Sequence, residues 1–494
     1  MFAFVAGLGS FGCAVYARRM ARSRLLSHYP KLRGSTMTES TKKGSSRRQF
    51  LGTTGRIAAA TTLAGFSLPH VHAGEDNTLQ VALIGCGGRG TGAVANAMNA
   101  KQGPLKLVAM NDVFGHRLQA SLNNLKNQFG DRIDVPEDRQ FVEFDGYRKA
   151  TECLKPGDIV ISATPPAFRW AHFEDAVKKG LHIFMEKPLT ADGPTSRRML
   201  ATAEQANEKN LKVGVGLMSR HSRAMQELHQ RIQDGEIGDI ISMRGYRMHG
   251  PIGSVFSERW PGTPSELLWQ IQRFHSFLWA SGGGFSDFNI HIIDHLCWMK
   301  NAWPVKAQAV GGRHFRGDYV DQNFDSYSVE YVFEDGSRMH MDGRCMSGGH
   351  QIYSSYVHGS KGSAIASNRG DCGLPSRTFS GQNPDSEHQL WASEVPQDQR
   401  NPYDNEWNAL VDAIRDDLPF NEAESGVYAS LVTSMGRKAA HTAREITLEA
   451  MLEDEHEYAP GLDQWTMESP PPLESDDQGR YPIPIPGLLG DREF

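Results

Sequence analysis

A short apolar run at residues 79–84, Leu-Gln-Val-Ala-Leu-Ile, feeds straight into Gly85-Cys86-Gly87-Gly88-Arg89-Gly90, and this junction constrains the fold more than any other part of the chain. Buried parallel strands read as near-continuous apolar runs of this kind. In G-x-G-x-x-G, Gly85 permits the tight turn and Gly87 lets the backbone approach a pyrophosphate. Gly90 lets helix and strand pack closely while the helix N-terminus faces the phosphates. A helical stretch at 91–100, a second strand at 105–110 and Asn111-Asp112 follow, so the glycines stand in the strand–helix–strand context that gives the motif meaning. Asp112 can accept the ribose hydroxyls and would repel a 2′-phosphate, which favours NAD; Arg89 and Arg117 keep NADP open.

The alternation continues with a strand at 159–164, a helix at 167–179, and strands at 182–185 and 211–217. This is the pattern of a doubly wound parallel sheet, in which ligands bind at the carboxyl ends of the strands. Thr164-Pro165-Pro166 ends one strand sharply at that edge, and Glu186-Lys187-Pro188 ends another. The cofactor-binding candidates are therefore Gly85, Gly87, Gly88, Arg89, Gly90, Asp112, Thr164, Pro165, Glu186 and Lys187. Lys187 is also placed to hold a substrate hydroxyl over a nicotinamide.

Further along, a glycine run at 282–284 leads into a helical stretch containing Asp287, His291 and Asp294. Asp287 and His291 lie four apart and share a face. One carboxylate beside one imidazole suits general-base catalysis, with Asp287 orienting the ring and His291 taking a hydroxyl proton. No third ligand stands at a telling spacing, so no metal is expected. Stretches 240–249, 305–311, 326–333 and 337–342 alternate like strands of an open antiparallel sheet. Trp260, Trp269, Phe274, His275 and Trp279 offer faces that could stack on a sugar ring or fill a core. Helices are expected at 406–415 and 422–442, and the Pro- and Asp-rich tail from Ala459 reads as an extended arm.

Together, Gly85-x-Gly87-x-x-Gly90, Ala163-Thr164-Pro165-Pro166, Gly180-x-His182-x-x-x-Glu186-Lys187-Pro188 and Gly235-Glu236-Ile237-Gly238 resemble the glucose-fructose oxidoreductase, inositol dehydrogenase and MocA (Gfo/Idh/MocA) family over residues 79–452. Asp287-x-x-x-His291 matches the family's D-x-x-x-H, although Asn289 stands where the family often has Gly. The resemblance implies an α/β fold, with a Rossmann doubly wound parallel sheet followed by an α+β domain built on a large, mostly antiparallel open sheet that mediates homo-oligomers. The expected division is a leader at 1–73, an NAD-binding Rossmann domain at 74–217, a substrate and oligomerisation domain at 218–458 and an arm at 459–494. The implied activity is an NAD(P)-dependent oxidoreductase acting on CH–OH of a sugar, cyclitol or related polyol, with Lys187, Asp287 and His291 as the catalytic set. Two alternatives stay open at this point: an NAD-dependent glycosidase working by transient oxidation and elimination, and a non-catalytic sugar-binding protein.

Charge narrows the partners. Residues 1–73 carry 11 of the 52 Lys and Arg but one of the 58 Asp and Glu, so the remainder is near −16. Such a body argues against nucleic-acid binding, which depends on clustered Lys and Arg. The six cysteines, Cys13, Cys86, Cys153, Cys297, Cys345 and Cys372, form neither a zinc pattern nor a disulfide framework. Arg47-Arg48-Gln49-Phe50-Leu51 after Ser45-Ser46, then an apolar run at 57–68 and Val71-His72-Ala73, read as a twin-arginine signal cleaved before Gly74. The translocation machinery becomes a partner and the periplasm the destination. The start is Met1 or Met37; the apolar stretch 2–17 is too short and Gly-rich for a spanning helix. Replacing Arg47 and Arg48 by Lys should leave uncleaved precursor in the cytoplasm on fractionation; normal export of that variant would remove the signal.

Overall fold

The computed structural model describes residues 77–494 except 489 and 491. The twin-arginine motif, its cleavage site and both candidate starts lie outside them.

The apolar runs become the strands of a six-stranded sheet. They are β1 (Leu79–Ile84), β2 (Leu105–Asn111), β3 (Gln140–Phe141), β4 (Ile159–Ser162), β5 (His182–Met185) and β6 (Val213–Val215). All pair in parallel, in the order β3-β2-β1-β4-β5-β6. Parallel order needs a crossover between neighbours, and helices supply it on both faces. They include α1 (Gly88–Met98), α2 (Gly115–Phe129), α3 (Gly146–Glu152) and α4 (Arg169–Lys178), of which α1, α2 and α4 line the cavity. The chain reverses its winding direction between β1 and β4. There the Ala163 amide donates to the Ile84 carbonyl at 2.8 Å and the Gly85 amide to the Asn111 carbonyl at 2.8 Å, so three strand ends meet at one edge.

After α5 (Gly193–Glu208) and α6 (Arg223–Gln233), the chain builds a nine-stranded sheet. Its strands are β7 (Ile240–His249), β8 (Lys306–Gly312), β9 (Ser326–Val332), β10 (Arg338–Cys345), β11 (Ile352–Gly359), β12 (Gly362–Ser367), β13 (Arg377–Ser380), β14 (Gln389–Ala392) and β15 (Ile446–Thr447). The order is β14-β13-β12-β11-β7-β10-β9-β8-β15, antiparallel except where β10 runs parallel to β7. Helix α7 (Glu266–Gln272) and the short α8 (Leu278–Ser281) lead into α9 (Gly283–Lys300), and α10 (Pro402–Arg415), α11 (Ala423–Thr442) and α12 (Leu448–Glu453) complete the chain's helices.

The two sheets share cores rather than facing each other across solvent. One apolar cluster runs from Ile84 and Met185 through Ile292 and Leu296 of α9 to Met243 and Met341 of the second sheet. A second joins Val81 and Leu83 to Trp407, Leu410 and Val411 of α10. Helices from late in the sequence thus return to the first sheet, and the described residues pack as one compact body. α9 is pinned between the layers, which fixes the side chains it points at the first sheet's edge.

Packing at the glycine turn leaves no slack. A Cβ on Gly90 would collide with the Gly85 carbonyl. Gly90→Ala should therefore lower stability by about 1–3 kcal/mol, the usual cost of overpacking, and weaken nucleotide binding. An unchanged melting temperature would contradict this packing.

Candidate functional site

The edge where β1, β4 and β5 end opens into a cavity of about 940 Å³ that runs from the glycine turn to α9. Gly85, Gly87, Gly88, Arg89, Asp112, Thr164, Pro165, Glu186, Lys187, Asp287 and His291 all line it. Gly90 does not; it packs behind the turn.

At one end, Gly85 takes φ +90°, a left-handed conformation open chiefly to glycine. Helix α1 then starts with Gly87 at its N-cap and no side-chain cap. Its first-turn amides are left for a ligand, and a Cβ on Gly87 or Gly88 would meet nothing within 4 Å, so there is room above them. An uncapped helix N-terminus with backbone approach is what a pyrophosphate requires. The donor set fits a dinucleotide.

Asp112 is buried at the same end. Its carboxylate accepts from the Cys86 amide at 2.7 Å and the Phe114 amide at 2.8 Å, so it braces the glycine turn as well as facing the cavity. Burial raises its pKa, with the two amides and nearby Arg117 opposing. Arg117 stacks over Phe114 at 4.7 Å, whereas Arg89 is held by an ion pair to Glu186 at 2.7 Å and lies over Tyr403.

At the other end, the strand tips are tied together by Arg169, which donates to the Thr164 carbonyl at 2.6 Å and to the Pro188 carbonyl. Burial lowers its pKa to about 10. Lys187 reaches across to α9. Its Nζ donates to the Asp287 carbonyl at 2.7 Å and lies 3.4 Å from the Asp287 carboxylate.

Asp287 is where the geometry departs from expectation. Its carboxylate engages Lys187 and, at 3.3 Å, His275 Nε2, rather than orienting the His291 ring. The reason is reach: a short side chain one turn before His291 meets the cation delivered by β5 and the imidazole delivered by the segment before α8. The Ser254 amide donates to His275 Nδ1 at 3.2 Å, so the proton sits on Nε2 and points at Asp287. Burial would raise the pKa of Asp287, but Lys187 and His275 outweigh it and hold the carboxyl below the usual range.

His291 is 7% exposed, and its Nδ1 is buried without a hydrogen-bond partner. Burial first, then Lys187, lowers its pKa to about 3, with Asp371 the strongest opposing charge. The ring is therefore neutral at physiological pH and free to accept a proton.

Three further residues complete the wall. Arg247 on β7 donates to the Phe288 carbonyl at 2.8 Å and to the Tyr353 hydroxyl at 2.6 Å, and Tyr353 on β11 donates to Asp371 at 2.5 Å. All three line the cavity. Of the five aromatics, Phe274 and His275 line it too, while Trp269 and Trp279 are core and Trp260 bonds the Pro264 carbonyl. Asp294 is taken by Arg220 in a two-pronged pair, 2.8 and 2.9 Å, and no cluster able to hold a metal occurs among the described residues.

Two family models match. One, described as an oxidoreductase family with an NAD-binding Rossmann fold, takes residues 79–217; the other, the GFO/IDH/MocA C-terminal domain, takes residues 225–365. The chain is 28% identical over 212 residues to scyllo-inositol 2-dehydrogenase (NAD(+)) of Bacillus subtilis, covering 42% of this chain and 55% of that one. It is 26% identical over 296 residues to 1,5-anhydro-D-fructose reductase of Ensifer adhaerens, covering 56% and 75%. Against the inositol dehydrogenases it matches, the chain spans about a third to about half of their length. In fold, it resembles scyllo-inositol dehydrogenase from Lactobacillus casei with bound NAD(H) and scyllo-inositol, with TM-score 0.54, 19% identity, and coverage of 75% of this chain and 99% of that one. With both of its models matched, together over more than half of the chain, the chain belongs to the Gfo/Idh/MocA oxidoreductase family and carries its NAD-binding Rossmann domain.

Proposed function

We propose that this protein is an exported NAD-dependent oxidoreductase acting on a secondary hydroxyl of a sugar, cyclitol or related polyol. The observation that carries it is one cavity with an uncapped phosphate-binding helix end at one extreme and a cation, a carboxylate and a neutral imidazole, Lys187, Asp287 and His291, at the other. The names of the inositol dehydrogenase and anhydrofructose reductase relatives support a polyhydroxylated substrate. The twin-arginine grammar of residues 45–73 supports export in the folded state, and the open face of the nine-stranded sheet supports a homo-oligomer.

When bound, the dinucleotide supplies the acceptor for the hydrogen and electron pair that leave the carbinol carbon. The chain's own residues handle the proton and the charge. His291, neutral at rest, takes the proton of the substrate hydroxyl. Lys187 stabilises the negative charge that develops on that oxygen. Asp287 holds Lys187 and His275 in place, and Asp371 offsets the positive charge that forms on the ring. Phe274, Phe288 and Ile271 exclude water from the same space.

Lys187→Met and His291→Ala should each lower kcat by about 10² or more, the usual contribution of a positioned proton-transfer group. Nucleotide affinity measured by calorimetry should be retained, because neither residue belongs to the glycine turn. Near-parental turnover in His291→Ala would remove His291 as the base, whereas failure to find NAD or NADP released from the denatured native protein would count against the oxidoreductase reading.

The pH profile gives a separate check. Because the ring must be neutral and its pKa lies near 3, oxidation by the parent should show no limb from His291 between about pH 5 and 8. Removing the Lys187 charge raises the ring's pKa, so the residual activity of Lys187→Met should acquire an acid limb at higher pH. An acid limb at the same pH in parent and variant would mean that Lys187 does not act on His291.

A further inference from the structure

Behind the first turn of α9 lies a buried ionic network that the chemistry above does not use. Arg437 on α11 and Glu493 in the C-terminal arm are both almost wholly buried, their side chains 1% exposed. Two guanidinium nitrogens of Arg437 donate to the Glu493 carboxylate at 2.9 and 2.8 Å. The same carboxylate meets His441 Nδ1 at 2.7 Å and accepts from the Tyr458 hydroxyl at 2.6 Å. Burial alone would raise the pKa of Glu493, but Arg437 and His441 hold it far below the normal range.

What Arg437 does with its remaining donors links this network to the cavity. Nη1 donates to the Gly282 carbonyl at 3.0 Å and to Ser286 Oγ at 3.0 Å. Gly282 directly precedes α9, and Ser286 directly precedes Asp287. Gly282 takes φ +75°, and a Cβ there would meet Arg437 Nη1 at 2.5 Å. Glycine thus serves twice, making the left-handed turn and admitting the guanidinium.

The rest of the arm grips the segment that carries His275. The Leu473 carbonyl accepts from Gln270 Nε2 at 2.7 Å, and Gln270 Oε1 accepts from Trp279. The Pro482 carbonyl accepts from Gln322 Nε2 at 2.9 Å, and Gln322 Oε1 accepts from the Leu278 amide. The family-model matches end at residue 365, before α11 and the arm.

We propose that the C-terminal arm, through Glu493 and Arg437, is a positioning element for the cavity wall, fixing the first turn of α9 so that Asp287 and His291 face Lys187. This rests on the site's geometry and not on the activity proposed for it. Arg437 can hold Gly282 and Ser286 only while Glu493 compensates its buried charge, because an unpaired buried guanidinium is strongly unfavourable. Loss of Glu493 therefore frees the helix start that carries both cavity residues.

Amide hydrogen exchange on the full mature chain, read by segment, tests this. The double variant Arg437→Met/Glu493→Leu fills the same space with apolar groups and leaves no unpaired charge. In it, exchange across 283–292 should accelerate by about tenfold or more, while β1, β4 and β5 exchange as in the parent. Glu493→Gln, which keeps the shape but leaves the Arg437 charge unpaired, should show the same pattern at least as strongly, and decides the matter if the double variant does not fold. Unchanged exchange across 283–292 overturns the proposal. Equal acceleration in both sheets overturns it too, since the network would then be general core support. No turnover is measured, so this outcome is independent of whether the protein is an oxidoreductase.

Discussion

Lys187 and Asp287 come from opposite layers of the molecule, and their meeting at the end of β5 joins the first sheet to the helix that rests on the second. Asp287 is buried and Lys187 nearly so, and a charge removed from water needs a partner. Their contact forms part of the cavity wall opposite the glycine turn. Against burial, Lys187 keeps the Asp287 carboxyl ionised, and together with burial, the larger effect, the same positive charge keeps His291 neutral. A base that is neutral at rest can accept a proton. Asp371 opposes the lowering of the ring's pKa from the far side without reversing it, and its own carboxyl stays below the usual range because Tyr353 and Arg247 help to outweigh burial.

The remaining wall acts by holding these groups still. Arg169 ties the tips of β4 and β5 from below, so the strand that delivers Lys187 cannot drift from the turn at Thr164. His275 holds Asp287 from the side, itself fixed by Ser254. Asp112 does for the glycine turn what Arg169 does for Lys187, since its carboxylate spans the Cys86 and Phe114 amides. A cavity whose charged wall groups are held by their neighbours has little reorganisation left to do when charge moves, which is how preorganised sites stabilise a transition state.

The first sheet was legible in the sequence because its strands are buried on both faces and read as plain apolar runs. Residues 182–185 and 240–249 are strands with the bounds their patterns suggest. β11 to β14 were not legible. Their buried faces include Ser354, Ser355, Ser363 and Ser367, so the apolar alternation that marks a half-buried strand is missing. Local spacing found Lys187, Asp287 and His291, because a strand end and one helical turn are local devices. It assigned Asp287 the wrong neighbour, because Lys187 and His275 come to it only through the fold. Arg247, Tyr353 and Asp371 lie on or beyond three separate strands and carry no shared motif. His275 was one aromatic among five. Nothing in a Pro- and Asp-rich tail distinguishes Glu493 from the acids around it, and only its place behind Gly282 gives it meaning.

The relation between the glycine turn and Lys187 is tested most directly by a crystal structure of the protein soaked with NAD. The pyrophosphate should lie over Gly87 and Gly88 at the start of α1, with the nicotinamide ring in the space bounded by Lys187, Asp287 and His291. A dinucleotide bound away from the glycine turn, or one whose nicotinamide points away from Lys187, would contradict the assignment of this cavity as a hydride-transfer site.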